Sequence, residues 1–398
     1  MVMNNNNILT PALRFPGFSG DWSVKLVKDL CDINTGKSNT QDQVEDGKYP
    51  FYIRSAMPVR SSRYLYDCEA VITIGDGQIG KVFHYVNGKF DLHQRCYMMS
   101  NFKGINPRYF YYFFSGNFYE RAMRLTAKAT VDSVRLEMIS DMPILIPPTY
   151  EEQNAIASLL SEIDHLISAQ EQKVESLKAH KKGLMQQLFP KPGETTPHLR
   201  FPGFTGEWQE KPLSHFLYEH KTKSDGKCDV HSVSVTKGVI NQVEYLGRSF
   251  AASDTSKYNL AKQNDIIYTK SPTGAFPYGI IKQNKNPYSV IVSPLYAVYT
   301  PVNRHIGYIL DSYFENPVNT NNYLSSLIQK GAKNTIQISN DTFVSKSICL
   351  PTNSFEQQRI AECLESLDTL IATETKELES LKTHKKGLLQ QLFPQPVK

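Results

Sequence analysis

The chain has 398 residues, 40% hydrophobic and 11% aromatic, with a formal net charge of +5, a length that exceeds one ordinary core and suits two or three domains. No apolar run reaches the roughly 20 residues of a membrane span, and the Asn-rich start has neither the basic residues nor the apolar segment of a secretory signal, so a cytosolic protein is expected. The cysteines (Cys31, Cys68, Cys96, Cys228, Cys349 and Cys363) include no Cys-x-x-Cys pair, which leaves no sign of a disulfide framework or a zinc site.

In chain order, the first marked stretch is Leu13-Arg14-Phe15-Pro16-Gly17-Phe18-Ser19-Gly20-Asp21-Trp22. It closes an opening segment, 1–22. In the globular stretch 23–146, Glu69 to Ile74 and Lys81 to Val86 read as strands flanking Gly75-Asp76-Gly77-Gln78-Ile79-Gly80, and Asn87-Gly88 reads as a hairpin turn. Arg108 to Arg124 reads as an aromatic helix with Tyr109, Tyr112 and Phe113 on one side. Asp141 to Pro147 reads as a last strand, stopped by Pro147-Pro148 before a long helix that starts near Glu151.

That helix belongs to the segment 147–190. Its apolar residues step by fours and threes, at Ile156, Leu160, Ile163, Ile167, Val174, Leu177, Leu184 and Leu188, which is a heptad seam. The segment 191–208 then repeats the opening as Leu199-Arg200-Phe201-Pro202-Gly203-Phe204-Thr205-Gly206-Glu207-Trp208. A second globular stretch, 209–350, follows the same order loosely, with Asp265 to Thr269, a turn at Ser271 to Gly274, Tyr278 to Lys282 and an apolar run at Val290 to Val298. A helix over Tyr308 to Phe314 or beyond comes next, and Ser345 to Leu350 leads into the second long helix. The final segment, 351–398, repeats the seam at Ile360, Leu364, Leu367, Ile371, Leu378, Leu381, Leu388 and Leu392.

The two helices end alike, as Leu-Lys-x-His-Lys-Lys-Gly-Leu-x-Gln-Gln-Leu-Phe-Pro at 177–190 and 381–394. Five heptads make a rod of roughly 55 Å, and two matched rods in one chain most simply pair with each other. Polar residues break both seams at matching places, Gln170 against Glu374 and Lys181 against Lys385, where such residues fix register and partner. Because Pro190 leads into Arg200 as Pro394 would into Arg14, the two ends of the chain are expected to lie together around a pseudo-twofold internal repeat. The predicted fold is mixed α/β (α+β), with two globular domains and two long paired helices.

Catalytic patterns fail on physical grounds. Gly75 to Gly80 spells G-x-G-x-x-G, but a strand rather than a helix N-terminus comes after it, and Asp76 would repel a phosphate. Asn106-Pro107-Arg108-Tyr109 lacks the second proline of an adenine-methyltransferase motif, no Walker loop is present, and the histidines have no ligand spacing.

What remains is recognition. Lysine plus arginine outnumber aspartate plus glutamate 16 to 13 over 23–145 and 15 to 10 over 209–349, whereas the helices are acidic. Arg and Lys suit guanine edges, Asn and Gln suit adenine, and Ser and Thr suit phosphates. Candidate DNA contacts in the first globular stretch are therefore Arg54, Ser55, Gln78, Lys81, His93, Gln94, Arg95, Lys128 and Thr130. In the second they are Lys270, Ser271, Thr273, Lys333, Asn334 and Gln337.

Taken together, the paired Arg-Phe-Pro-Gly-Phe openings, Glu152-Gln153 and Glu356-Gln357 after proline-containing turns, and the matched helix ends resemble the specificity subunit of a type I restriction-modification enzyme over nearly the whole chain. The resemblance implies a non-catalytic subunit with two target recognition domains, each reading half of a bipartite asymmetric site in double-stranded DNA. In that picture a long antiparallel coiled coil separates the two domains, sets the unread spacer and helps dock two modification subunits. It implies no cofactor on this chain. S-adenosylmethionine belongs to the modification subunits, and ATP and Mg to up to two restriction subunits. A coiled-coil adaptor with two protein-binding domains is the competing reading. Salt separates the two, because log affinity of a DNA reader falls by about 0.9 per neutralised phosphate for each unit of log salt.

Overall fold

The heptad seams fold as two helices of 39 residues each, Tyr150–Leu188 and Ser354–Leu392, in a computed structural model that describes residues 10–126, 133–248, 254–330 and 336–394. Each helix starts at a side-chain cap. The Thr149 hydroxyl accepts from the Glu152 amide at 3.2 Å, and Asn353 Oδ1 accepts from the amides of Phe355 and Glu356 at 2.9 and 3.3 Å, which satisfies donors that a helix N-terminus otherwise leaves unpaired. Each stops just before a proline, Pro190 or Pro394, which cannot continue the backbone hydrogen bonding.

The chain divides into two compact units, Met1–Glu171 with Lys376–Lys398, and Gln172–Thr375. Both long helices contribute to each unit. In the first, Ile156, Ala157 and Leu160 from the start of one helix share a core with Leu392 and Phe393 from the end of the other. In the second, Leu188 and Phe189 share a core with Ile360, Ala361 and Leu364. The helices therefore run antiparallel within each unit. All sixteen seam residues named above are buried or half-buried, and a fully buried leucine such as Leu160 or Leu364 contributes about 1.5–3 kcal/mol. Lys382 pairs with Glu171 at 2.8 Å in the first unit, as Lys173 does with Glu374 at 2.7 Å in the second.

The globular part of the first unit is a six-stranded sheet in the order Asp32–Thr35, Cys96–Ser100, Tyr66–Ile74, Phe83–Leu92, Tyr49–Tyr52, Val59–Ser61. All neighbours are antiparallel except Tyr49–Tyr52 on Phe83–Leu92. Asn87-Gly88 is not a turn, contrary to expectation. Both residues lie inside the strand Phe83–Leu92, opposite Glu69 and Cys68. Gly88 takes φ +120°, a conformation that suits a kink as well as a hairpin. The turn spans 75–82 instead, and it leads into a strand, as expected.

The helix Pro107–Thr126 covers the sheet with Tyr109, Phe110, Phe113, Phe114 and Phe118, all buried, and Phe110, Phe114 and Phe118 stack in succession. A separate pair, Ser23–Leu26 with Pro143–Ile146, closes the domain beside the long helix.

The second unit repeats the first four strands of that order as Leu217–Glu219, Ala297–Pro301, Ile266–Tyr268 and Ile281–Gln283, and its closing pair as Gln209–Pro212 with Ser347–Leu350. Its extra residues build a hairpin, His231–Ser234 with Gly238–Asn241, and the helix Gln242–Leu246. The apolar run Val290 to Val298 is divided between two strands. Val290–Val292 pairs with Asn259–Ala261, and Ala297–Pro301 joins the four-stranded sheet, because Ser293-Pro294 interrupts the run. Two helices, Arg304–Glu315 and Pro317–Ser325, stand where one was expected.

Candidate nucleic-acid interface

Each globular part is fastened to its long helices by the same bonds. In the first unit Arg14 meets Glu152 as a fork, Nε to Oε1 at 2.7 Å and Nη2 to Oε2 at 2.8 Å, and its remaining donors reach the carbonyls of Gly20 and Ser19. In the second, Arg200 grips Glu356 at 2.6 and 2.9 Å and donates to the carbonyls of Gly206 and Thr205. Both carboxylates are only 1% exposed. Hydrogen bonding to Glu152, against some desolvation, raises the Arg14 pKa, and Glu356 does the same for Arg200.

The next residue along each helix is also used. Gln153 Oε1 accepts from the Asn106 amide at 2.8 Å, and Gln357 Oε1 accepts from Asn303 Nδ2 at 3.0 Å. Asn106 and Asn303 are helix N-caps. The Asn-Pro-Arg-Tyr stretch is thus a cap that docks on the long helix, which accounts for it without catalysis. About three turns further along each long helix, the hydroxyls of Tyr112 and Tyr308 donate to Asp164 and Asp368 at 2.8 and 2.5 Å. Lys385 pairs with Asp164 and Lys181 with Asp368.

The loops above these anchors differ. In the first domain three of them converge on Asp76. Arg54, just beyond the strand Tyr49–Tyr52, bonds both carboxylate oxygens through Nη1 at 3.1 and 3.2 Å. Arg95, in the turn before Cys96–Ser100, bonds Oδ2 through Nη1 at 2.9 Å. Burial pushes the Asp76 carboxyl upward, but Arg95 and Arg54 outweigh it and hold the group below the usual carboxylate value of 3.8. Thr40, Ile53, Arg54, Ser55, Asp76, Gly77 and Gln78 line an open cleft of about 360 Å³. Gln94 adjoins it, donating to Asn39 at 3.2 Å.

Of the residues singled out in the sequence, Arg54, Ser55, Gln78, Gln94 and Arg95 therefore come together. His93 is buried and presents no ring to a ligand. Its Nδ1 accepts from the Arg95 amide at 3.0 Å, which makes it a support for the arginine's turn, and burial, aided by Arg54, lowers its pKa. Lys81 lies apart from the cleft, its ammonium 5.6 Å from the centre of the Tyr119 ring. Lys128 and Thr130 lie outside the described residues.

In the second domain Lys270 and Ser271 line a larger cleft of about 640 Å³, together with Lys221, Lys223, Asn259 and Asn340. Lys270 donates to Asn340 Oδ1 at 2.8 Å, and Asn340 Nδ2 donates to Glu219 at 2.7 Å. Thr273 pairs its backbone with Phe276 in a tight turn and is not among the cleft's lining residues. Lys333 and Asn334 lie outside the described residues. Gln337 belongs to the short strand Ile336–Gln337, and its side chain is outside them too. Sequence reasoning missed Asp76 as a hub, along with Lys221 and Lys223. The cue for Asp76 in the sequence is a carboxylate amid glycines in a turn.

The family described as the type I restriction modification DNA specificity domain matches residues 19–179 and again residues 216–383. The chain belongs to this family. It is a non-catalytic DNA-specificity subunit carrying two copies of the family's domain. Among curated relatives, it is 24% identical to the type I restriction enzyme MjaVIII specificity subunit of Methanocaldococcus jannaschii, over 94% of this chain and 92% of that one. It is 25% identical to the EcoDI specificity subunit of Escherichia coli over 45% of this chain and 40% of that one. Among solved structures, the type I restriction-modification S subunit from M. genitalium superposes with a TM-score of 0.68 at 15% identity, covering 98% of this chain and all of that one. That likeness speaks for the shared fold. Among the described residues, no helix of this specificity subunit is long and apolar enough to cross a membrane, and no cluster of side chains could hold a metal ion.

Proposed function

We propose that residues 23–146 and 209–350 are two target recognition domains, each reading one half of a bipartite, asymmetric site in double-stranded DNA. The helical segments 147–190 and 351–398 form the constant frame that fixes the unread spacer. The contacts in the first half-site come from Arg54, Ser55, Gln78, Gln94 and Arg95, and in the second from Lys270 and Ser271 with Lys221 and Lys223. Two modification subunits dock on the frame and its Arg-Phe-Pro-Gly-Phe segments and bring S-adenosylmethionine. Up to two restriction subunits bring ATP and Mg.

One observation carries this reading. The anchors are the same in both units, down to the Arg fork, the Asn cap and the Tyr–Asp bond, while the clefts above them are lined by different polar residues. A constant frame under divergent polar surfaces is what one machine reading two different sequences requires. The test is to co-express the chain with its modification subunit in a host without adenine methylation and map modified adenines. The expected result is a single bipartite motif with a fixed gap and one modified adenine per strand. A complex that forms and binds its cofactor yet yields no motif would overturn the reading.

A further inference from the structure

Two arginines that grip phosphates are served best by their full charge, since phosphate affinity scales with the number of phosphates neutralised. Arg54 and Arg95 are arranged otherwise. Asp76 stands between them and bonds both, so the cluster carries one net positive charge instead of two. The carboxylate is also costly to place there. It sits in the turn 75–82, where the Gly75 amide bonds the Arg95 carbonyl at 2.8 Å. A Cβ on Gly75 would lie 2.7 Å from that same carbonyl oxygen, and Gly77 takes φ +81°. The turn is thus shaped to hold Asp76 against the Arg95 loop.

What the carboxylate supplies is direction. A carboxylate fixes a guanidinium plane as a flexible stem cannot. Among the described residues each guanidinium bonds only through Nη1. Arg54 remains 43% exposed and Arg95 61% exposed, against 21% for Asp76. Both exposed guanidiniums are therefore held by Asp76 through one nitrogen, while their Nε and Nη2 groups have no partner among the described residues. Fixed forks with free donors match the paired O6 and N7 acceptors of guanine in the major groove, the commonest specific contact an arginine makes.

We propose that Arg54 and Arg95 read guanine in the first half-site and that Asp76 is the positioning residue that selects base edges over phosphates. This rests on the first domain's cleft being a DNA face. Asp76 acts through the two arginines, and its loss releases them toward the backbone.

The experiment uses the complex with modification subunits, comparing the parent with Asp76→Asn, Arg54→Lys and Arg95→Lys. Mapped methylation of the parent should show guanine in the half-site that these substitutions alter. Asp76→Asn, nearly isosteric, should relax that guanine roughly five- to hundredfold, leave the other half-site strict, and steepen the fall of log affinity with log salt by about 1. A strict other half-site shows that the chain is still folded and assembled. The lysine variants keep the charge but lose the fork, so they should relax guanine without changing the salt slope. A half-site without guanine, or an Asp76→Asn motif and salt slope equal to the parent's, overturns the proposal. Should Asp76→Asn fail to assemble, the lysine variants decide, and an unchanged motif in both overturns it. Arg54→Ala combined with Arg95→Ala separates the two levels. If this pair leaves DNA affinity and motif untouched, the DNA face itself has been misplaced. If it weakens binding while Asp76→Asn does nothing, only the role of Asp76 falls.

Discussion

Replacing Arg14 by alanine tests the anchoring argument most directly. The substitution removes a two-pronged bond to Glu152 and two bonds to turn carbonyls, and it strands a carboxylate that is 1% exposed. Breaking a buried pair by deleting one partner costs about 3–5 kcal/mol. At about 2–4 °C per kcal/mol for a unit of this size, the first unit should melt roughly 6–20 °C lower. Arg200→Ala should cost less, about 2–3 kcal/mol, because Glu356 keeps a second donor. Trp208 Nε1 bonds it at 3.3 Å, whereas Trp22 Nε1 has no partner among the described residues. The chain has only two tryptophans, one per unit. A Trp208→Phe background therefore lets fluorescence follow the first unit during urea unfolding, and Trp22→Phe lets it follow the second. A cost for Arg14→Ala below about 1 kcal/mol would refute the reasoning, as would a larger cost for Arg200→Ala.

A circular permutant opened between Pro190 and Arg200, with the original ends joined by a short linker, should fold and melt within a few degrees of the parent. The Leu13 amide bonds the Gln391 carbonyl at 3.0 Å just as the Leu199 amide bonds that of Gln187 at 2.9 Å, and circular dichroism with size-exclusion chromatography reads the outcome. Burial pushes the Cys31 and Cys96 thiols up to about 12, so a thiol reagent at neutral pH should leave both untouched until the first unit unfolds, while the partly exposed Cys68, Cys228, Cys349 and Cys363 react first. Lys285 pairs with the buried Asp311 at 2.7 Å. Lys285→Met should destabilise the second unit by about 2–3 kcal/mol, reduced from a fully buried pair because Lys285 is half exposed, and adding Asp311→Asn should recover most of it. For that Asp311, desolvation is outweighed by Lys285 and Lys282, so its folded pKa lies below the ordinary 3.8. Its stabilisation is complete above that value and is lost as pH falls through the folded pKa, so acid unfolding followed by Trp208 should begin below about pH 4 and lose part of its steepness in the double variant.

What was legible in the sequence is what repeats. The seam, the Glu-Gln pairs near the helix starts and the Arg-Phe-Pro-Gly-Phe openings were visible because each occurs twice, and a heptad pattern dictates its own secondary structure. What the openings do was not visible, since Arg14 and Glu152 are 138 positions apart and no local pattern encodes that contact. The recurrence of Arg and Glu in both copies was the available hint. Asn87-Gly88 misled because turn propensity is local, while a strand paired with Tyr66–Ile74 along most of its length overrides it. The candidate contacts fared unevenly for a similar reason. Loop composition suggested Arg54, Arg95 and His93 alike, but only packing distinguishes two exposed guanidiniums from a buried imidazole that supports one of them.

The two sets of interactions are separable, and that separation bears on how such a chain can change what it reads. The anchors lie where the globular domains meet the long helices, at Glu152, Gln153 and Asp164 and again at Glu356, Gln357 and Asp368. The cleft residues Arg54, Gln78, Arg95 and Lys270 share no hydrogen-bond partner with them among the described residues. Substitutions at sites without common partners add nearly independently. On the proposed reading, cleft residues can therefore be exchanged at small cost to the frame, and the frame can be weakened without altering the half-sites. An Arg14 variant should accordingly methylate the parent's motif, only less stably, whereas an Arg95 variant should melt like the parent and methylate a different set of sites.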